Sequence, residues 1–413
     1  MTFLFFIINH TGQLICNSIY EHLRFLRTLK HEEMIALIYM DHAATTMLLP
    51  KAAAHMRQYE ITDYGNPSGN YPFAYKAKTA IEESRSAIAA TINAKNSEIF
   101  FTSGGSEADN WALKGIFSSH KSYQPHIITS QIEHSAILNS CHFLEKNGCK
   151  ITYVPVNNEG IIDLEYLEKS ITKNTILISV MTANNEIGTI QPVREIAKIA
   201  HKHNCLFHTD AVQAYCHIPI DVRQMGIDLM SVSAHKCNGP KGIGFLYANE
   251  AINFESFIHG GGQERKKRAG TENVAAIAGF KIAAQNSYKN MEFNHRREKY
   301  LNDYMTELLK REIPDIKFNG AEEKLANNIN CTIKGANAQS LITLLSLDNI
   351  CISAGSACHS DSSSASHVLI ATGLSEEEAL NTIRITLGPE NTTQEAEYVV
   401  NKIKIAAMNL RKR

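Results

Sequence analysis

The stretch Ser231-Val-Ser-Ala-His-Lys236-Cys-Asn-Gly-Pro-Lys-Gly-Ile-Gly-Phe-Leu-Tyr247 sets one lysine between two apolar runs. Asp228-Leu-Met-Ser-Val-Ser233 predicts a strand entering the interior, and Gly242-Ile-Gly-Phe-Leu-Tyr247 predicts its neighbour. Lys236 then stands at a strand end. An amine held in a partly desolvated place loses basicity and becomes a nucleophile toward a carbonyl, as a Schiff-base anchor requires. The competing reading is a surface lysine ahead of a Pro-Gly turn.

Outward from that strand, apolar runs alternate with helical patterns: Glu98-Ile-Phe-Phe101, His126-Ile-Ile-Thr129, Ile151-Thr-Tyr-Val154, Thr175-Ile-Leu-Ile-Ser-Val180, Leu206-Phe-His208 and Leu229-Met-Ser-Val232. Val193-Arg-Glu-Ile-Ala-Lys-Ile-Ala-His201 spaces its apolar residues three to four apart, as a crossover helix does. The prediction is an α/β fold with a mostly parallel sheet flanked by helices. Beyond about residue 290 the texture shifts to a charged helix from His295 to Arg311, then short strands near Ile329-Asn-Cys-Thr-Ile333 and Ile350-Cys-Ile-Ser353. The expected organisation is an N-terminal extension (1–38), a large domain (56–290) and a smaller α+β domain built from 39–55 and 291–413.

The 413 residues carry a net charge of -1, so no global field draws the chain to nucleic acid or an anionic membrane, and no direct partner of either kind is expected. At 44% hydrophobic the chain can bury a sizeable core. Its nine cysteines are odd in number, scattered and free of any C-x-x-C pair, which predicts a reducing, cytoplasmic setting. Phe3-Leu-Phe-Phe-Ile-Ile8 is too short to span a bilayer and lacks the basic flank of a signal peptide. Residues 21 to 33 mix Arg24, Arg27 and Lys30 with Glu21, Glu32 and Glu33, which suits a solvated helix better than a transit peptide. Met34 and Met40 are alternative starts.

Three constellations bear on chemistry. Phe100-Phe-Thr-Ser-Gly-Gly-Ser-Glu-Ala-Asp-Asn110 is a strand, a glycine turn and a helix start, whose backbone amides can cradle a phosphate. Simple capping by Ser106 is the alternative. The turn is neither a Walker loop nor a dinucleotide fingerprint. Leu206-Phe-His-Thr-Asp-Ala-Val-Gln213 ends an apolar run in Asp210, a carboxylate that is costly there unless a cation meets it. The protonated pyridine nitrogen of pyridoxal phosphate is such a cation. A helix cap, or a metal cluster of His201, His203, Cys205, His208 and Asp210, competes with that reading; His201 and His203 are two apart and share no helix face. No metal site is expected. Ile350-Cys-Ile-Ser-Ala-Gly-Ser-Ala-Cys-His-Ser360 sets Cys358 among small residues ahead of a serine-rich loop, where a thiol is either structural or an exposed nucleophile. Cys351, on the apolar run, fits a structural account.

Together these segments resemble the cysteine desulfurases of the class V aminotransferase family, which have pyridoxal-phosphate fold type I, and among them the long-loop subgroup. The likeness runs from about Tyr39 to about Val400 through Asp41-His-Ala-Ala-Thr-Thr46, Gly65-Asn-Pro-Ser68, Thr102-Ser-Gly-Gly-Ser-Glu107, Ile132-Glu-His134, Asn184-Asn-Glu-Ile-Gly188, Ser233-Ala-His-Lys236, Gly260-Gly-Gly-Gln-Glu-Arg265, Arg268-Ala-Gly-Thr271, Ser353-Ala-Gly-Ser-Ala-Cys358 and Ile383-Arg-Ile-Thr-Leu-Gly388. The resemblance implies that Lys236 holds the cofactor and moves the substrate Cα proton, Asp210 faces the pyridine nitrogen and Gln213 the ring hydroxyl. His134 stacks on the ring. Gly105, Ser106, Ser233 and His235 bind phosphate, with Thr271 arriving from a second subunit of a homodimer. Asn185, also beside the cofactor, and Arg384 hold the carboxylate of L-cysteine. Cys358 accepts sulfur as a persulfide and hands it to an acceptor protein, for iron-sulfur cluster assembly or thiolation, leaving L-alanine.

Departures from the family pattern are Ser106 for a common threonine, Tyr71 for histidine and Met47 for proline. The loop after Cys358 lacks the usual acidic-proline stretch, and Cys-His-Ser-Asp361 also looks like the matching loop of selenocysteine lyases. A selenocysteine lyase and a non-catalytic scaffold paralogue are the alternatives. The end at Arg413 is shorter than the tail with which some relatives dock a scaffold.

Overall fold

The computed structural model describes residues 37–120, 124–354 and 364–412. The expected N-terminal extension falls almost wholly outside the described residues, and Cys358 lies outside them altogether. The described chain enters through β1 (Ile38–Tyr39) and forms the large sheet from β2 (Ile99–Thr102), β3 (His126–Ser130), β4 (Lys150–Val154), β5 (Thr175–Ser179), β6 (Leu206–Asp210), β7 (Leu229–Ser233) and β8 (Gly244–Ala248). Every apolar run of the alternating pattern from Glu98 to Tyr247 becomes one of these strands. Their order is β2-β8-β7-β6-β5-β3-β4.

The sheet is parallel except at β8, which runs antiparallel to both β2 and β7. The exception has a steric cause: the turn through Lys236 is too short to hold the crossover that a parallel neighbour needs. Helices Ser135–Lys146, Leu164–Ser170 and Val193–Lys202 make the longer crossovers. Val193, Ile196, Ala197 and Ala200 form the buried stripe of the last, as its three-to-four spacing requires. Strands β3, β5, β7 and β8 are buried at every residue, so both sheet faces are covered. That is why they read as unbroken apolar runs. The sheet reverses its winding between β3 and β5, and in open α/β sheets ligands bind beyond the carboxyl ends of strands at such a switch.

The charged helix expected from His295 is the second half of one 39-residue helix, Val274–Glu312. Asn273 caps its start by accepting from the Ala276 N–H, and neither Gly nor Pro interrupts it after Gly279. Ala276, Ile277, Phe280 and Ala284 belong to the core under the large sheet; Leu301, Met305, Leu308 and Leu309 belong to a second core. The latter packs against a four-stranded antiparallel sheet ordered β12 (Ser353–Ala354), β13 (Thr382–Thr386), β10 (Asn328–Ile333), β9 (Ile316–Phe318). β1 pairs in parallel with β11 (Ile350–Cys351), which delivers Asp41 to that core's edge. Among the described residues all seven cysteines are free thiols, no helix is long and apolar enough to cross a membrane, and no group of three His, Cys, Asp or Glu is arranged to hold a metal.

Candidate active site

Five parallel strands end at one place. The turn after β2 carries Ser103, Gly104 and Gly105, the loop after β3 carries His134, the segment after β5 carries Asn185, β6 ends at Asp210, and β7 ends at Ser233 ahead of His235 and Lys236. With Gln213 and Arg384 they line a single cavity of about 510 Å³, within the range of small-molecule sites. Gly105, Ser106, Asn185, Ser233 and His134 all face it.

One end of the cavity is suited to an anion. Helix Gly105–Ser119 starts there with Gly104 as its cap residue and no side-chain cap, so capping by Ser106 does not occur. The first amides point at the cavity with the positive end of the helix dipole behind them. Chain crowding requires glycine: a Cβ on Gly105 would lie 2.6 Å from Val212 Cγ2, and one on Gly244 would lie 2.2 Å from the Val232 carbonyl. Beside it, His235 bonds Thr45 Oγ1 at 3.1 Å; burial, then the Lys236 and Lys241 cations, push its imidazole down to about 4. The ring is neutral and can bond phosphate without competing for charge.

The opposite end is suited to a cation. Asp210 is 6% exposed and accepts the Val212 N–H at 2.8 Å. Burial pushes its carboxyl above the ordinary range against the pull of His134 and Lys236. No helix starts after Asp210, so it caps none. The competing metal cluster also fails: His201 pairs with Asp228 at 2.8 Å, His203 with Glu168 at 3.2 Å, and the Cys205 thiol donates to the Thr175 carbonyl. An anion cradle at one end and a buried carboxylate seeking a positive charge at the other match the phosphate and ring nitrogen of pyridoxal phosphate. Lys236 lies between them.

Lys236 closes a single 3₁₀ turn after β7, and its Nζ donates to the carbonyls of Ala43 (2.5 Å) and Ala44 (2.7 Å). Gln213 Nε2 donates to the Ala43 carbonyl as well, at 2.9 Å. Thr46 clips that segment down by bonding the His235 carbonyl at 2.8 Å. His134 is the cap residue of helix Ser135–Lys146, and its Nδ1 accepts the Ala136 N–H at 3.2 Å. In the neutral ring the proton is therefore on Nε2.

Arg384 is held as a fork. Nη1 donates to the Asn185 carbonyl at 3.0 Å and Nη2 to Asp41 Oδ1 at 2.7 Å, while the buried Nε has no partner among the described residues. Ser353, paired with Arg384 across β12 and β13, donates to the other oxygen of Asp41 at 2.8 Å. A guanidinium on the cavity wall with an unused buried N–H suits a substrate carboxylate. Asp41 was a landmark in the sequence with no role attached, because nothing local ties it to a residue so distant in the chain. Glu186 was likewise unassigned. It is buried beneath Asn185, receives the Ser366 hydroxyl at 2.5 Å, and is pushed up to about 7 by burial, against the hydrogen bond from Ser366 and the charges of Arg384 and His134.

Thr271 does not reach the cavity of its own chain. It sits in a neighbouring depression of about 220 Å³ that shares Ser103 and Gly242 with the cavity wall. Arg268 in the same depression clasps Glu107, at 2.8 and 3.1 Å.

The description "Aminotransferase class-V" matches residues 38–399. A Clostridium botulinum protein named "Cysteine desulfurase IscS" is 45% identical over 366 residues, covering 88% of this chain and 92% of the relative. A solved "NifS-like protein" superposes with a TM-score of 0.85 at 34% identity over 90% of this chain and 100% of its own. A second solved structure, "SspA in complex with cysteine", does so at 0.75 and 39% identity over 86% of this chain and 100% of its own. On the match across almost the whole described chain, the protein belongs to the class V aminotransferase family and, within it, to the pyridoxal-phosphate-dependent cysteine desulfurases.

Proposed function

We propose that this cysteine desulfurase works through Lys236, His134 and Cys358, with Asp210 and Arg384 setting the orientation of what they act on. The observation that carries the reading is the convergence of Lys236, Asp210, His134 and Arg384 on one cavity. Lys236 would hold pyridoxal phosphate, with Asp210 at its ring nitrogen, Gln213 at its hydroxyl, and Gly105, Ser106, Ser233 and His235 at its phosphate. Bound there, the cofactor supplies an electron sink for the pair left at the substrate Cα.

The chain's own residues do the rest. Arg384 and Asn185 hold the carboxylate of L-cysteine, which fixes the Cα–H bond toward Lys236. The freed Lys236 amine takes and returns the Cα proton. His134 manages the substrate thiol proton, and the Cys358 sulfur attacks the substrate sulfur: the substrate C–S bond breaks, an S–S bond forms, and the carbon that loses sulfur takes up a proton. Atoms balance as L-cysteine plus the Cys358 thiol giving L-alanine plus the Cys358 persulfide. An acceptor protein then takes the outer sulfur, for iron-sulfur cluster assembly or thiolation.

The working unit is a homodimer in this reading. It is supported by the displacement of Thr271 from its own cavity, which leaves the phosphate end short of one hydroxyl, and by the exposed rings of Tyr64, Tyr71 and Tyr75 near the chain's Asn66-Pro-Ser68 turn. Replacing Cys358 by serine tests the nucleophile. The variant keeps the cofactor's absorbance and its shift on adding cysteine, but forms almost no alanine; full turnover would overturn the assignment.

A further inference from the structure

Beneath the ring-nitrogen end of the cavity lies a polar group that the proposed reaction does not use. Asp109, on helix Gly105–Ser119, is 1% exposed. Its Oδ1 has no hydrogen-bond partner among the described residues and stands 3.9 Å from His208 Nε2, while Asp109 also reaches Ser231. His208 is fully buried two residues before Asp210 on β6, and so projects from the same sheet face. Its Nδ1 meets Ser179 Oγ at 2.8 Å and its Nε2 meets Ser231 Oγ at 3.0 Å. Ser231 is in turn the ladder partner of Asp210. Ser179, His208, Ser231 and Asp109 thus form one buried chain behind Asp210.

The charges around that chain decide where a proton resides. Asp109 faces two further buried carboxylates, Asp210 and Glu133, and no Lys or Arg pairs with it among the described residues. Burial pushes the His208 imidazole down to about 3, so it supplies no positive charge. Carboxylates that face one another in a low-dielectric site do not ionise together. Asp210 has the Val212 N–H and the positive influence of His134 and Lys236; Asp109 has only Ser231.

We propose that Asp109 is a positioning residue that works as a neutral carboxylic acid: by keeping a proton behind Asp210 it leaves Asp210 as the only one of the pair to carry charge toward the cavity. Ser231 and His208 orient that acid. The inference rests on the assignment of Asp210 to the ring nitrogen, but the protonation of Asp109 is measurable without it.

Difference infrared spectra of the holoenzyme at neutral pH test it. A protonated-carboxyl band is expected in the wild type, part of which vanishes in Asp109→Asn and persists in Asp210→Asn; Ser231→Ala shifts that part without removing it. Because Asp109→Asn keeps both shape and neutrality, the dissociation constant for pyridoxal phosphate and the pH midpoint of the cofactor's absorbance stay close to wild type. Absence of an Asp109 acid band, or a rise of about tenfold or more in that constant in Asp109→Asn, as loss of a charge would give, overturns the proposal. An unchanged constant and absorbance in Asp210→Asn would instead sink the ring-nitrogen assignment while the Asp109 band stands.

Discussion

Two sets of buried acids flank the turn after β2, and they are stabilised in opposite ways. On the side of the loop that leads to Thr271, Glu264 and Glu107 each have a guanidinium. Glu264 receives Arg85 Nη1 and Nη2 at 2.8 and 2.9 Å and the Phe101 N–H at 2.9 Å. Glu107 receives Arg268 and the Ser103 N–H; burial alone would raise its pKa, but those hydrogen bonds hold it below the ordinary range. On the cavity side, Asp109 and Asp210 have no such partner and burial pushes both upward. Glu107 and Asp109 are two residues apart on one helix. A buried acid that is part of the framework brings its cation with it, whereas one that serves a ligand leaves the place open.

The paired side has a load to bear. Glu264, Arg265 and Lys266 take φ of 42°, 55° and 64° in succession, a left-handed turn without a glycine, at a cost of about 1–2 kcal/mol per residue. Arg265 helps by donating to the carbonyls of Ile99 and Asn96. The most disruptive test is Glu264→Gln, which leaves the buried Arg85 without its buried counter-charge and with only the exposed Glu82 beside it. A loss of about 3–5 kcal/mol in the free energy of unfolding is expected by denaturant titration, with the cofactor lost earlier than in the wild type. If stability is unchanged, the pair is not what holds the turn.

The unpaired side should respond in the other sense. Asp210→Asn removes a charge that nothing in the chain fully compensates, so the cofactor-free protein keeps its stability or gains some. Alanine formation falls by about 10²–10³-fold, the scale for losing one preorganised electrostatic partner. A parallel fall in stability and activity would place Asp210 with the framework acids.

How far this division was legible in the sequence depends on what burial does to composition. The inner strands of the large sheet are covered on both faces and so read as apolar runs; Lys236 and Asp210 stand out because they end such runs. The paired acids give no such sign, because Arg85 and Glu264 lie 179 residues apart and meet only through the fold. Asp41 and Arg384 are hidden in the same way. The left-handed turn was obscured by its neighbours: Gly260-Gly-Gly262 looks like the flexible point, yet the strain falls on the three charged residues after Gln263. The expected break in texture near 290 was a change in which core the long helix touches, and no break in the helix itself.

pH separates the two sets further. Burial raises Glu133 from its ordinary 4.5 to about 8, and Glu186 to about 7. The folded protein therefore keeps protons that the unfolded chain releases. Their contribution is fully present below about pH 4.5 and is lost as pH rises through about 7 and 8. Glu107, held low, contributes above the unfolded carboxylate range and loses that contribution on acidification. Unfolding of the cofactor-free protein at a series of pH values checks this: Glu133→Gln should flatten the decline between pH 5 and 9 relative to wild type. An identical slope in the two proteins would mean that Glu133 ionises normally.

The smallest effect separates charge from geometry at the Glu107 clasp. Arg268→Lys keeps the cation but loses the fork that meets both carboxylate oxygens, at 2.8 and 3.1 Å. Because Arg268 is only partly buried, the expected loss is about 1 kcal/mol in unfolding free energy. Thr271 lies three residues on from Arg268, so a loosened clasp should also raise the dissociation constant for pyridoxal phosphate severalfold while leaving kcat on a saturated enzyme near its original value. A change in kcat at saturating cofactor would show that the clasp acts on the reacting groups and not only on the loop, and the line between framework acids and site acids would then have to be drawn beyond Glu107.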